Sequence, residues 1–268
     1  MNNQYPISEI FTSPQGEGVW TGTMMTFIRL AGCTVGKPYP KEKYETLYLC
    51  LNCSGLQSSH SDPTYKSTVC SKYERSELHH GATLPIYTEK CTLYDGRSFA
   101  CDTDYRKKKM LGVDQILGEV TGKTVCITGG EPLMHDIGPL LYALREHHKD
   151  IHLETSGTIS SVDLQHVWVT LSPKVNPLKE MILRANEFKI LVDSDFNPEI
   201  PLLDDIAFYD IRSIAKNTPV YLQPINYENE VNRDNVRLCM KWQEKYPQFR
   251  ISLQLHKVLS LYTEEKVR

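Results

Sequence analysis

Six of the eight cysteines in this 268-residue chain lie within its first 101 residues. In a chain that shows no secretion signal, crowded cysteines favour metal binding or redox chemistry over a disulfide framework. Cys33, Cys91 and Cys101 could together hold an iron–sulfur cluster. Three thiolates would leave one iron open to another ligand, because full ligation of a four-iron cluster takes four. Cys126 and Cys239 stand apart, and we predict that they are buried core thiols.

A second metal hypothesis concerns Cys50, Cys53 and Cys70, with one histidine of the pair His79-His80. A Cys-x-x-Cys pair with two further ligands suits a small tetrahedral zinc site. These residues lie in a segment, 34–98, that has no apolar periodicity and is unusually long for a structureless loop. The alternative is an irregular insertion whose thiols are incidental.

Composition excludes several classes of protein. A net charge of −3 and a hydrophobic content of 40% are ordinary for a globular domain and do not indicate a nucleic-acid-binding surface. No apolar run reaches the roughly 18 residues that a membrane-spanning helix needs. The start of the sequence does not resemble a signal peptide, so we expect a cytoplasmic protein without membrane or nucleic-acid partners.

Beyond residue 105 the apolar pattern becomes regular, and strands alternate with helices. We predict strands at 24–30, 124–128, 152–155, 167–171, 188–192, 220–223 and 251–255. We predict helices from a basic start at 106–109 to residue 120, and near 136–148, 206–215 and 232–245. Such alternation is typical of parallel β/α units with right-handed crossovers.

The residue types that could do chemistry follow the predicted strands. They are Cys33, Thr128 to Glu131, Glu154, Ser172 to Lys174, Gln223 and His256. In a parallel sheet or barrel, the carboxyl ends of the strands form the ligand-binding face. We therefore expect these residues to lie on one side of the molecule.

Two features of the first 30 residues add to this set. Gln15-Gly16-Glu17-Gly18 predicts a tight loop whose backbone can approach a ligand, although an ordinary turn would look similar. Arg29 interrupts an apolar strand, so its charge should be paired or should meet an anionic ligand.

Several short motifs together resemble one family. They are Gln15-Gly16-Glu17-Gly18, Phe27 to Cys33, Cys101-Asp102-Thr103, Ile127 to Pro132, Leu153 to Thr158, Ser172-Pro173-Lys174 and Gln254 to Lys257. In this order the sequence resembles the 7-carboxy-7-deazaguanine synthases, which are radical S-adenosylmethionine (SAM) enzymes. The resemblance implies an α/β fold: a partial (β/α) barrel of the radical SAM type, in a single domain over 1–268, with 34–98 as a long insertion after the first strand.

The resemblance also implies which residues bind the cofactors. A [4Fe–4S] cluster would be held by Cys33, Cys91 and Cys101, with SAM on its open iron. The SAM-binding residues would be Asp102, Gly129, Gly130, Glu131, Glu154, Ser172, Pro173, Lys174 and Gln223. The position of Cys91, the middle cluster ligand, departs from the family's spacing. An alternative trio is Cys33, Cys50 and Cys53, which contains a Cys-x-x-Cys but lacks the Asp-Thr that follows Cys101.

For the substrate, the resemblance implies a carboxylated tetrahydropterin. The residues that would contact it are Pro14, Gln15, Gly16, Arg29, Thr128 and His256. Arg29 would form a charge-assisted pair with the substrate carboxylate. Thr103 would offer an oxygen ligand to a Mg²⁺ ion that bridges to the substrate.

The implied reaction is ring contraction of 6-carboxy-5,6,7,8-tetrahydropterin to 7-carboxy-7-deazaguanine, with loss of ammonia. The cofactors would supply a radical, and the protein would orient the reactants and exclude water. The implied partners are a flavodoxin-like electron donor and a second copy of the chain in a homodimer. Two alternatives are a radical SAM enzyme that activates a partner protein, and a zinc-binding protein without catalysis.

Overall fold

The computed structural model of the chain describes residues 3–33, 35, 90–100, 108–203, 209–226 and 231–259. Its strands, in chain order, are β1 Gln4–Pro14, β2 Met24–Leu30, β3 Lys90–Thr92, β4 Ser98–Ala100, β5 Lys109–Gly112, β6 Thr124–Gly129, β7 Asp150–Thr155, β8 Val167–Leu171, β9 Glu187–Val192, β10 Val220–Pro224 and β11 Phe249–Ile251. Its helices are α1 Val113–Glu119, α2 Gly138–Glu146, α3 Lys179–Arg184, α4 Ile211–Ile214, α5 Arg233–Lys245 and α6 Leu255–Leu259. A short 3₁₀ turn covers Pro132–Met134.

Within these residues, one large sheet has the strand order β11-β10-β9-β8-β7-β6-β2-β1-β5. Neighbouring strands from β2 to β11 are parallel, as the alternation of strands and helices predicts. β1 is antiparallel to both β2 and β5. The edge strands β5 and β11 do not pair with each other in the described part of the chain, so the predicted partial barrel is confirmed.

Alternate side chains of the parallel strands divide between two environments. One set, represented by Ile28, Ile127 and Leu153, is fully buried in the main core with Leu140 and Leu144 of α2. The opposite set carries the polar and charged side chains that form the site described below. This division follows from the two-residue period of a strand, which places neighbouring side chains on opposite faces of the sheet.

The loop between β1 and β2 contacts the chain that follows the edge strand β11. Gly16 O accepts a hydrogen bond from Leu255 N at 3.0 Å, and Gly18 N donates to Ser252 Oγ at 3.0 Å. Ser252 and Leu255 follow β11, which lies at the other side of the strand order. The sheet must therefore curl, and the loop lies across its polar face.

Some predicted elements are wrong. Residues 109–112, predicted to lie in a helix with a basic start at 106–109, form β5 because they pair with residues 4–7 of β1, and α1 begins only at Val113. The predicted strand at 251–255 is displaced: β11 ends at Ile251, in register with β10, and α6 begins at Leu255.

Other elements were not predicted at all. β1, α3 and the hairpin of β3 and β4 have no counterpart in the sequence-based prediction. The hairpin lies at the end of the segment predicted to be irregular. The predicted helix near 206–215 is represented by α4, since residues 204–208 lie outside the described part. None of the described helices has the length and apolar character to cross a membrane.

Candidate active site

The glycine turn after β6 is fixed against the end of β2. Gly130 N donates to Leu30 O at 3.0 Å, and Glu131 N donates to Gly32 O at 2.9 Å. Gly129 has a φ of 125°, and a Cβ there would lie 2.1 Å from Leu30 O, so only glycine permits this approach. The predicted cofactor turn therefore lies directly beside the segment that leads into Cys33.

Glu131 is fully buried and directs its carboxylate into the protein. Oε1 accepts from Thr155 Oγ1 at 2.8 Å and from Leu133 N at 3.1 Å, while Oε2 accepts from both the backbone N, at 2.8 Å, and the hydroxyl of Ser156. A carboxylate has about four acceptor positions, and here four donors occupy them. The side chain thus ties the glycine turn to the turn after β7.

A buried charged cluster lies on the polar face of the sheet. Lys189 of β9 forms an ion pair with Glu17 of the loop after β1, and its Nζ lies 3.8 Å from Glu154 Oε2 of β7. The exposed fractions of the three side chains are only 13%, 13% and 22%. One cation therefore lies between two carboxylates in a largely desolvated position.

The ionisation of this cluster follows from its geometry. Burial alone would raise the pKa of Glu17, but the Lys189 ammonium and the amide of Gln254 lower that pKa to about 2. Burial alone would lower the pKa of Lys189, whereas Glu154 and Glu17 raise it above its usual value. The ionised form of the pair is stabilised, as expected for opposite charges in contact.

Four uncharged groups complete the cluster. Gln15 Nε2 donates to Glu154 Oε1 at 3.3 Å, and Thr128 Oγ1 donates to Glu154 Oε2 at 2.9 Å. Gln223 Nε2 and Gln254 Nε2 each donate to Glu17 Oε1 at 3.0 Å. Gln223 Oε1 is buried and has no hydrogen-bond partner among the described residues, so an acceptor remains for a ligand N–H.

The loop that carries Gln15 and Glu17 depends on two close backbone approaches. A Cβ at Gly16 would lie 3.1 Å from His256 Nδ1, and a Cβ at Gly18, whose φ is +72°, would lie 2.6 Å from Glu187 Oε1. Glu187 in turn accepts from Val19 N at 2.8 Å and from Thr170 Oγ1 at 2.6 Å. Both glycines therefore hold the loop against the sheet.

The predicted substrate residues Arg29 and Pro14 lie toward opposite ends of the pairing between β1 and β2, since Arg29 is opposite Glu9. Pro14 is the last residue of β1, opposite Met24. Arg29 pairs with Glu9 at 3.4 Å and lies over the ring of Phe11, 5.5 Å from its centre. About a third of each charged side chain in this pair is exposed, so the pair is weak and its partner can be exchanged.

The turn after β8 holds a second group of predicted residues. Lys174 Nζ donates to both the backbone O and the hydroxyl of Ser172 at 3.0 Å. The same ammonium lies 5.4 Å from the ring centre of Phe99 in β4. The turn at Ser172-Pro173-Lys174 therefore adjoins the hairpin that carries Cys91.

The predicted cluster ligands are only partly covered by the described residues. Cys33 and Cys91 are both buried, each with 5% of its surface exposed. Cys101, Asp102 and Thr103 lie outside the described residues, as do all the ligands predicted for zinc, which are Cys50, Cys53, Cys70 and the two histidines. Across the ranges that are described, no three potential metal ligands lie together. Cys126 and Cys239 are buried, as predicted.

Sequence reasoning did not select Glu17, Lys189, Gln254 or Glu187 as site residues. The sequence does contain a signal for Lys189 and Glu187, because a charged residue inside or beside an apolar strand needs a partner or a ligand. Gln254 belongs to the motif Gln254 to Lys257, but its contact with Glu17 had no signal in the sequence, since that contact depends on the curvature of the sheet.

Comparisons with known proteins show what the whole chain is similar to. No protein-family model matches the chain. It is 32% identical over 263 residues to the 7-carboxy-7-deazaguanine synthase of Synechocystis sp., covering 96% of this chain and 93% of the relative. It is 30% identical over 266 residues to the protein of that name from Escherichia coli K12, covering 96% and 99%. The crystal structure of QueE from Escherichia coli superposes with a TM-score of 0.55 at 26% identity, covering 94% of this chain and 95% of that one.

Proposed function

Because this chain belongs to the 7-carboxy-7-deazaguanine synthase family, we propose that it converts 6-carboxy-5,6,7,8-tetrahydropterin to 7-carboxy-7-deazaguanine with loss of ammonia. One structural observation carries the proposal. Side chains from four parallel strands and two loops meet in one buried polar cluster, which keeps the acceptor Gln223 Oε1 without a protein partner among the described residues. A buried acceptor of this kind is costly unless a ligand satisfies it.

The cofactors of this radical SAM family are a [4Fe–4S] cluster and SAM, and the described residues fit them. Cys33 and Cys91 are buried thiols, and the glycine turn is hydrogen-bonded to the segment that leads into Cys33. When bound, the cluster and SAM supply the radical chemistry that begins the reaction. Asp102 and Cys101 would complete this site.

The charged cluster would hold the reactants in one orientation. Lys189 keeps Glu17 ionised and lies 3.8 Å from Glu154, so that Gln15 and Gln223, which donate to these two carboxylates, are held at defined positions around the ligands. Gln223 Oε1 would accept an N–H from bound SAM, for example from its adenine amino group. Fixed polar groups of this kind orient a bound molecule without reorganising during the reaction.

Arg29 would bind the carboxylate of the pterin. Its present partner, Glu9, forms a partly exposed pair, and such pairs contribute only about 0–1 kcal/mol. An entering substrate carboxylate can therefore replace Glu9 at little cost. Gly16 and His256, which approach each other closely, would form the neighbouring wall of the substrate site.

The resemblance implies that Glu131 binds SAM, and its carboxylate could pair with the ammonium group of SAM, but the structure favours an indirect role. Its two oxygens already accept four hydrogen bonds from the chain. We therefore propose that Glu131 fixes the glycine turn and that backbone carbonyls of the turn meet the ammonium.

Several finer points stay predictions. They are Mg²⁺ at Thr103, zinc at Cys50, Cys53 and Cys70, a flavodoxin-like electron donor, a homodimer and a cytoplasmic location. The two metal sites lie outside the described residues.

The test is anaerobic incubation of the reconstituted chain with the carboxytetrahydropterin, SAM and dithionite, followed by mass spectrometry. We expect 7-carboxy-7-deazaguanine that depends on all three additions. A chain that takes up iron and cleaves SAM but leaves the pterin unchanged would contradict the proposed substrate. A folded chain that takes up zinc but no iron would favour the non-catalytic alternative.

A further inference from the structure

The hairpin of β3 and β4 is separate from the main sheet and carries Cys91. Cys91 pairs with Phe99 across the two short strands, and the turn between them is closed by the hydrogen bond from Leu93 N to Arg97 O at 2.8 Å. An isolated two-stranded hairpin is at best marginally stable in water. Contacts with the rest of the protein must therefore determine where Cys91 lies.

Backbone contacts join the hairpin to the turn after β8. Val175 N donates to Thr92 O at 3.1 Å, and Leu93 forms an isolated antiparallel bridge with Lys174. Thr92 is the residue next to Cys91, so the thiol-bearing backbone is held beside the predicted SAM-binding turn.

Arg97 makes a second, side-chain attachment to the end of β9. Its Nη1 donates to Asp193 Oδ1 at 2.7 Å, its Nη2 donates to Leu191 O at 2.7 Å, and its Nε donates to Asp95 Oδ2 at 2.8 Å. The guanidinium also lies 5.1 Å from the ring centre of Phe196, and only 9% of the side chain is exposed. A planar guanidinium is suited to satisfying several acceptors at once.

Apolar contacts lie between these two attachments. Leu93 is buried against Leu191 and Ile225, with Phe99 packed beside them. The hairpin is thus held on β8 by backbone, on β9 by Arg97, and between them by a small apolar cluster.

We propose that Arg97 is a positioning residue that fixes the Cys91 hairpin to the carboxyl end of the sheet. The assignment of Cys91 as a cluster ligand rests on the proposed function, whereas the attachment itself does not. Without Arg97, the hairpin keeps its backbone contacts with the turn after β8 and its apolar contacts, but it loses its polar attachment to the end of β9, and Cys91 becomes accessible through local opening.

The test uses the full-length chain before iron is added, in the variants Arg97→Gln and Asp193→Asn. Iodoacetamide labelling over time, read by peptide mass spectrometry, gives a modification rate for each thiol. We expect Cys91 to react about tenfold faster or more in both variants, because local opening sets the reactivity of a buried group. Cys126 and Cys239, buried in the sheet and in α5, should keep their wild-type rates.

Arg237→Gln is the matched control. Arg237 also pairs with an aspartate, Asp234, at 2.7 Å, but both side chains are exposed. This variant should leave all three thiol rates unchanged. An unchanged Cys91 rate in both Arg97→Gln and Asp193→Asn overturns the proposal. Acceleration of all three thiols in both variants also overturns it, because the effect would then be global unfolding.

Iron content separates this inference from the proposed function. After anaerobic reconstitution, both hairpin variants should hold less iron than the wild type and show a weaker cluster absorption. If Cys91→Ala keeps the wild-type iron content, the cluster assignment of Cys91 fails. The labelling rates still decide the role of Arg97 in that case.

Discussion

Lys189 has the central position among the charged residues of the candidate site. It lies in a strand whose neighbouring residues, Phe188 and Ile190, are buried in the main core, while its own side chain reaches Glu17 and Glu154 on the other face. The three side chains come from β9, the loop after β1 and β7. A single lysine therefore connects parts of the chain that are far apart in sequence.

A prediction about a single side chain concerns Gln223. Gln223 and Gln254 donate equally long hydrogen bonds to Glu17 Oε1, but Gln254 Oε1 already accepts from Asn226, whereas Gln223 Oε1 is without a partner among the described residues. We expect Gln223→Met to weaken SAM binding to the reconstituted protein by about tenfold, the effect of one lost hydrogen bond. Gln254→Met is the control, and equal affinity in both variants, measured by calorimetry, would contradict a ligand contact at Gln223.

The cysteines give a second prediction. Cys101→Ala should abolish iron uptake during anaerobic reconstitution, because it removes one of the three proposed thiolate ligands. Cys239→Ala, in a buried position of α5, should keep the wild-type iron content even if it lowers the melting temperature. Equal iron content in the two variants would refute the ligand assignment.

Cys50→Ala should lower stability but not iron content, and iron loss in this variant would instead favour the trio of Cys33, Cys50 and Cys53.

At the scale of elements, the loop after β1 depends on Gly18. Gly18 and Gly22 both have positive φ, +72° and +88°, but a Cβ at Gly18 meets the Glu187 carboxylate at 2.6 Å, while a Cβ at Gly22 meets nothing within 4 Å. Gly22→Ala should therefore cost only the backbone strain, about 1–2 kcal/mol. Gly18→Ala should lose roughly 1–3 kcal/mol more through the clash, and should also lower turnover because Glu17 is its neighbour.

Urea unfolding of the two alanine variants measures this difference. Since both substitutions introduce the same methyl group at a left-handed position, the comparison isolates the contact with Glu187. Equal loss of stability in Gly18→Ala and Gly22→Ala would show that the approach to Glu187 does not constrain the loop.

The elements differ in how well the sequence predicts them. The strands from β6 to β10 are predicted because most of their residues are buried and because apolar residues recur in each at least at alternate positions. β5 is not, because Lys109 and Met110 are exposed at the edge of the sheet and only the pairing with β1 makes them extended. The β3–β4 hairpin is likewise not predicted. Its sequence has no periodic pattern, and its position depends on Arg97 and on contacts with β9 and the turn after β8.

At the scale of the whole molecule, the sequence predicts the site residues that lie at the ends of strands. It does not predict the contacts that depend on the curvature of the sheet. Thr128, Glu154 and Gln223 follow from the rule that ligands bind at the carboxyl ends of parallel strands. The contact between Glu17 and Gln254 does not, because it needs the loop after β1 to reach the chain beyond β11. No local pattern encodes that approach.

The buried pair of Glu17 and Lys189 makes stability depend on acidity. The pKa of Glu17 is about 2 in the folded protein and 4.5 ordinarily. Below pH 4.5 the unfolded chain binds a proton that the folded chain does not, so stability should fall as pH falls from about 4.5 to 2. This contribution is on the order of 3 kcal/mol when complete.

Urea unfolding of the wild type and of Glu17→Gln between pH 7 and pH 3 tests this pH dependence. The variant should be less stable at pH 7, because Lys189 loses the closer of its two carboxylate partners, but should show a flatter decline below pH 4.5. Parallel declines would mean that other carboxylates, and not Glu17, set the acid sensitivity.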